Sequence, residues 1–257
     1  QFVIKDFYDI PGNLVTFQGE KGKPAVRLSD DKKAVFLSSV QIYRDVEENA
    51  PRPFLDRVEI KTGDKERIFQ SSEEYYESQI QILDSHANEL VIQRQSSAEY
   101  PNSWYVNLTE RKRKKLTENV DPNRVVSQAH RDRFKVKRAD GIEFWVEVVL
   151  PEDWDGEPLA GLIWHYPKKY NNQDDYNESL MYYNKNSYPK ITPRSADILV
   201  KEGYAVIKPD WPIIGDRGNS NDNFVQSIIE NSKAVIDGAE AKGYIDRSRM
   251  AIGGHSY

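Results

Sequence analysis

The chain has 257 residues, a formal net charge of -5 at pH 7, 38% hydrophobic and 30% charged residues, and no cysteine. That length holds one large domain or two smaller ones with a sizeable core, and the mixture of apolar and charged residues excludes a disordered chain. Disulfides and thiolate metal sites are excluded, no run reaches the ~18 apolar residues of a membrane span, and the acidic balance speaks against a nucleic-acid partner.

Residues 1 to about 125 read as all-β. Short alternating runs such as Ala34–Tyr43 are separated by turn clusters such as Pro11-Gly-Asn and Ser29-Asp-Asp. Two segments read as copies of one unit, a strand, a polar turn and a second strand: Phe54–Phe69 and Ser103–Thr117. They lie about 48 residues apart, which suits the four-stranded blades of a β-propeller and equally any β-meander with similar hairpins. The basic run Arg111–Lys115 falls on the second copy and is read as the solvated edge of its hairpin. Asn119–Asn123 then reads as a linker, and Asp132–Gly141 with Glu143–Leu150 as a hairpin turned at Asp140-Gly141.

From residue 159 strand and helix alternate. Ala160–His165 is an apolar run expected to be a strand buried on both faces. Thr192-Pro193 is expected to start a helix, with Thr192 as its cap, and Gly203 to end it. Tyr204–Lys208 is the next strand. A helix from about Asp222 to Lys242, with Val225, Ile228, Ile229, Val235, Ile236 and Ala239 on its apolar face, stops at Gly243. Met250–Ile252 is the third strand, and it runs into Gly253-Gly254-His255-Ser256-Tyr257. A doubly wound α/β pattern with a parallel sheet follows. Its last strand delivers Gly-x-Ser, the front of the Gly-x-Ser-x-Gly turn that displays a nucleophilic serine.

A β region with propeller-like hairpins, a linker, a charged hairpin and then an α/β unit ending in Gly-Gly-His-Ser-Tyr resembles the prolyl oligopeptidase family of serine peptidases. The likeness is greatest to its glutamyl endopeptidase branch. It is carried by Leu162–Pro167, Pro212–Gly215, Asn221–Val225 and Met250–Tyr257, with Pro53–Asp56 and Lys61–Ile68 in the β region. The resemblance implies the last blades of a propeller over residues 1–125. Over residues 126–257 it implies a linker hairpin and the first half of an α/β-hydrolase domain. It also implies peptide substrates and possession of no cofactor. The family places its triad aspartate and histidine after the serine, whereas His86, His130, His165 and His255 all precede Ser256. The chain is therefore read as a fragment that is inactive alone. No signal peptide is visible from Gln1, a start that equally fits a chain whose leader has been removed, and the resemblance leans toward export.

Ser256 is the expected nucleophile, and the backbone N–H of Tyr257 an expected oxyanion donor. The Tyr166 hydroxyl, by the resemblance, is the second donor. His255 is expected beneath the turn, packed or hydrogen-bonded, because neighbouring side chains diverge there, and His165 is expected to face the sheet core. Cleavage after glutamate, again by the resemblance, needs a cationic pocket, for which Lys168, Lys169 and Arg194 in loops are the candidates. Asn221 and Asp222 are expected to cap the long helix, with Asp216 and Arg217 bordering the site. No metal-ligand spacing is present. The alternatives are an acylaminoacyl-type hydrolase or esterase on the same scaffold, and a non-catalytic propeller binding module.

Overall fold

A computed structural model describes residues 8–215 and 222–255. The chain divides into two compact units, residues up to Asp121 with Leu180–Pro189, and Pro122–Ser179 with Lys190 onward.

The first unit is antiparallel sheet. Strands β1 (Asn13–Leu14), β4 (Ala34–Gln41), β5 (Arg52–Glu59) and β6 (Lys65–Gln70) form one four-stranded sheet, with β2 (Thr16–Gln18) and β3 (Pro24–Val26) a small ribbon before it. Strands β7 (Tyr76–Ile82), β8 (Glu89–Gln95), β9 (Asn102–Asn107) and β10 (Lys112–Lys115) form a second sheet in the order β10-β9-β8-β7. The two repeated segments are the last two strands of each sheet, β5–β6 and β9–β10. Period-two alternation sends Phe36, Leu55 and Phe69 from one sheet and Leu90, Ile92 and Val106 from the other into a shared core. Two fully buried carboxylates, Asp56 and Glu77, are each met by an arginine from the last strand of their own sheet, Arg67 and Arg113. The basic run therefore contributes one buried ion pair besides its solvated lysines. Leu180–Pro189 is fastened to this unit by Asn184 Nδ2 on Pro51 O, Asn186 Nδ2 on Glu73 O and Tyr188 Oη on Asp121.

The second unit opens with α1 (Arg124–Ser127) and the hairpin β11 (His130–Lys137)–β12 (Glu143–Leu150), turned at Asp140-Gly141 with Gly141 at φ +92°. It continues with β13 (Leu159–His165), β14 (Lys168–Tyr170), α2 (Gln173–Ser179), β15 (Ala205–Pro209), β16 (Pro212–Ile214), α3 (Phe224–Ala241) and β17 (Ile245–Gly254). The main sheet has the order β11-β12-β15-β13-β17, with β13 parallel to both β15 and β17. Residues opposite one another share a face, so Val149 of β12 and Val206 of β15 face one way, against Val200 and Leu199 of the 3-10 helix Ala196–Glu202. Val136 and Phe134 of β11 face the other way, where they meet Gly238 of α3. Helical segments therefore cover both faces.

Four expectations need correction. The segment before Gly203 is a 3-10 helix whose cap position is Ser195, because Thr192 and Ser195 first close a turn on each other. Gly203, at φ +81°, does end it. On α3, Val225 and Ile229 are exposed, while Ser227 and Asn231 are buried. Asn231 Nδ2 donates to Pro212 O at 3.0 Å and its Oδ1 accepts from Arg138, so the inward stripe is polar where the helix meets backbone rather than side chains. The cap position of α3 is Asn223, without a side-chain bond; Asp222 lies one residue before it, and Asn221 lies outside the described residues. Finally, β13 is buried only at Gly161 and Ile163, because the 3-10 helix over the other face packs on β12 and β15.

A four-membered charge network ties that 3-10 helix to the sheet. Asp197, 4% exposed, accepts from Arg131 at 2.9 Å and Lys208 at 3.0 Å, and both cations also reach Glu147. Burial pushes the Asp197 carboxyl up, but Lys208 and Arg131 outweigh it and hold the group below the usual carboxylate range. Asp197→Ala should cost about 3 kcal/mol, the low end for breaking a buried pair, since Glu147 still faces both cations. A depressed folded pKa stabilises above the unfolded value, ~4, and that contribution is lost as pH falls through the folded one. Urea unfolding of Asp197→Ala and its parent at neutral pH and near pH 3 checks both: the deficit of the variant should shrink at the lower pH.

Candidate active site

The C-terminal ends of β13, β15 and β17 bring three short stretches together, the crevice where parallel α/β sheets carry ligands. The β13 end supplies His165 and Tyr166, the β15 end Asp210 and Trp211, and the β17 end Gly253, Gly254 and His255. His165 pairs with Gly254, and a Cβ at residue 254 would lie 2.5 Å from His165 O. Only glycine lets the two strand ends approach this closely. Ser256 and Tyr257, the expected nucleophile and backbone donor, lie outside the described residues, as do Asp216 and Arg217.

Tyr166 is half exposed at the head of β13, with a ring free to meet a ligand. His165 is stacked on Trp211, ring centroids 4.3 Å apart and planes 19° from parallel. Burial lowers the His165 pKa and keeps the ring neutral at physiological pH. Trp211 is fully buried with φ +50°, a left-handed conformation rare for a bulky residue and costing on the order of 1–3 kcal/mol. Next to it, Asp210 accepts a 2.6 Å bond from Tyr176 Oη, which itself accepts from Trp145 N at 2.9 Å. Burial pushes the Asp210 carboxyl up against the opposing bond from Tyr176, and burial with the adjacent carboxylate also raises the Tyr176 hydroxyl.

The remaining sequence candidates are placed as follows. His255 is exposed rather than packed beneath the turn, because it follows an edge strand whose end, from Ala251 onward, is largely open to solvent. Lys168 and Lys169 are exposed but lie on β14, paired in parallel with β16, rather than in a loop. Arg194 is exposed in the turn before the 3-10 helix. Of the other histidines, His86 pairs with Asp30 in the first unit and His130 packs on Trp154. Sequence reasoning missed Asp210, Trp211 and Tyr176. The only signal was Pro209-Asp-Trp-Pro212 at a strand end, and nothing in it announces a positive φ.

A cavity of about 530 Å³ in the first unit is lined by hydroxyls and amides, including Ser38, Ser39, Ser78, Gln79 and Gln93, with no charged group. It offers hydrogen bonds but no acid–base pair. Among the described residues no group of three or more histidine or carboxylate side chains is placed to hold a metal ion, and no helix is long and apolar enough to cross a membrane.

No protein-family model matches the chain. It is 26% identical over 270 residues to a probable chloroplastic glutamyl endopeptidase of Oryza sativa subsp. japonica, covering 98% of this chain and 28% of that protein. Its likeness to the Arabidopsis thaliana protein of the same name is 29% over 219 residues, 80% of this chain and 23% of that one. The chain thus spans about a quarter of the length of these relatives. Among solved structures it resembles dipeptidyl peptidase 4 of Porphyromonas gingivalis, with a TM-score of 0.50 and 14% identity over 88% of this chain and 30% of the other. It also resembles oligopeptidase B of Trypanosoma brucei, with a TM-score of 0.50 and 12% identity over 87% and 31%. The chain is thus similar to a stretch of proteins named glutamyl endopeptidases and shares the fold of solved peptidases, which is consistent with a fragment of a prolyl oligopeptidase-family peptidase.

Proposed function

We propose that this chain belongs to a serine peptidase that cleaves peptides through an acyl-enzyme at Ser256. Residues 1–125 are propeller blades in this reading, and residues 126–257 carry the first part of an α/β-hydrolase domain. The observation that carries it is the convergence of Gly253–His255 and Tyr166 at the ends of neighbouring parallel strands, with Gly-x-Ser next in the sequence. Ser256 Oγ attacks the scissile carbonyl, and the developing oxyanion takes hydrogen bonds from the Tyr257 N–H and the Tyr166 hydroxyl.

None of the four histidines suits the general base. His86 and His130 are engaged elsewhere, the neutral His165 ring lies flat on Trp211, and His255 immediately precedes the nucleophile in the sequence, where adjacent side chains are expected to diverge. The base comes from the remaining length of the whole protein, oriented there by a carboxylate. Cleavage after glutamate, the specificity in the relatives' names, would draw on the exposed cations Lys168, Lys169 and Arg194, with bidentate pairing open to the arginine alone.

A fluorophosphonate probe applied to the whole protein should label Ser256, and Ser256→Ala should abolish both labelling and turnover. A folded protein that takes no label sinks the proposal. Tyr166→Phe should lower kcat by about 10²–10³, or ~3–4 kcal/mol, with little change in KM, because the lost bond forms in the transition state. Peptides with Glu or Gln before the cleaved bond test the pocket: Arg194→Gln should raise KM for the glutamate peptide and spare the glutamine one.

A further inference from the structure

We propose that His165 and Trp211 form a positioning pair that grips the turn carrying Tyr166 from both sides and fixes where its hydroxyl points. This inference rests on the role given to Tyr166 above. Trp211 touches the turn twice, its indole stacking on His165 and its carbonyl accepting the Lys168 N–H at 3.2 Å. Tyr166 and Pro167 lie between these two contacts, so the segment bearing the hydroxyl is held at its start by a ring and at its end by backbone. On the β17 side the same turn has no slack, since His165 O lies against Gly254.

The gripping residue is itself fixed. Asp210 N donates to Trp145 O at 3.0 Å. On the other side Pro212 O accepts from Asn231 at 3.0 Å and from Arg138 at 3.4 Å. Arg138 is in turn held by Asp140 at 2.5 Å and Glu230 at 2.8 Å. These bonds from β12, α3 and the β11–β12 hairpin maintain Trp211 at its unfavourable φ, and strain kept up by its surroundings is a reason to look for a role. Among the described residues neither His165 Nδ1 nor Trp211 Nε1, both buried, has a hydrogen-bond partner. What joins the pair is therefore ring on ring, not a bond through nitrogen, and a ring without nitrogens should serve at position 165.

The test is a double-mutant cycle in the whole protein. His165→Ala and the bulkier His165→Leu, which removes the flat ring with less loss of volume, should each lower kcat at least tenfold while KM changes less than about threefold. His165→Phe should recover most of the loss. In a Tyr166→Phe background, His165→Leu should cause almost no further drop. Thermal melting and fluorophosphonate labelling report that each variant is folded, so a misfolded His165→Ala leaves His165→Leu as the test. Full additivity of the two changes, parental kcat in His165→Leu, or His165→Phe as impaired as His165→Leu would each overturn the pair. If Tyr166→Phe itself keeps parental kcat while Ser256 still labels, the Tyr166 role falls and this inference with it, though the serine peptidase reading stands.

Discussion

The second unit depends on one close approach. At the ends of β13 and β17 the His165 carbonyl and Gly254 lie so near that a Cβ would intrude to 2.5 Å, and a backbone oxygen cannot swing aside as a side chain can. The same crowding recurs lower on the strand pair, where a Cβ on Gly161 would meet Met250 Sδ at 2.9 Å. Glycines on the two partner strands thus relieve crowding at two points of the β13–β17 pairing, and the chain leaving β17 starts beside the turn that leaves β13. A site built from two strand ends needs that fixed relation before any side chain is chosen.

Around this approach, polar groups do much of the fastening that apolar contacts do elsewhere. Arg138, 6% exposed, links a hairpin turn, a helix and the carbonyl of Pro212, and Asp197 links a 3-10 helix to two strands. Each is a buried charge that is costly if left alone and acceptable because several partners share it. Such fasteners set orientation more sharply than a greasy contact, because a bidentate arginine has few alternative poses. In the first unit, Asp56 with Arg67 and Glu77 with Arg113 follow the same logic, one pair in each sheet.

Much of this was legible in the sequence, for identifiable reasons. Period-two runs and turn residues gave the repeated hairpins and the turn at Asp140-Gly141, since alternation and positive φ leave direct marks on composition. The continuous run Ala160–His165 and the strand before Gly253 marked parallel strands in the same way. The buried face of α3 was misread because Ser227 and Asn231 look like surface residues, and only the carbonyl of Pro212 explains them. The pairing of β14 with β16 joins two three-residue strands, too short to show a period. That Leu180–Pro189 belongs with the first unit is a long-range fact recorded in Asn184 and Asn186, whose amides ordinarily signal turns. Trp211 was illegible altogether, because nothing in a tryptophan's neighbours predicts a left-handed backbone.

Trp211 also bears on the choice between an enzyme and a binding module that has lost its chemistry. The backbone bonds alone do not call for it: those to Trp145, Asn231 and Arg138 use backbone atoms of residues 210 and 212, and a glycine at 211 would satisfy the same backbone path without strain, though it would leave the volume of a fully buried indole unfilled. What glycine would not supply is a ring beneath His165. The turn so held carries Tyr166, the exposed hydroxyl beside the end of β17. Among the described residues of this unit Trp211 is the one non-glycine residue with a positive φ, and it lies against the turn whose placement the proposed oxyanion role of Tyr166 would require to be exact.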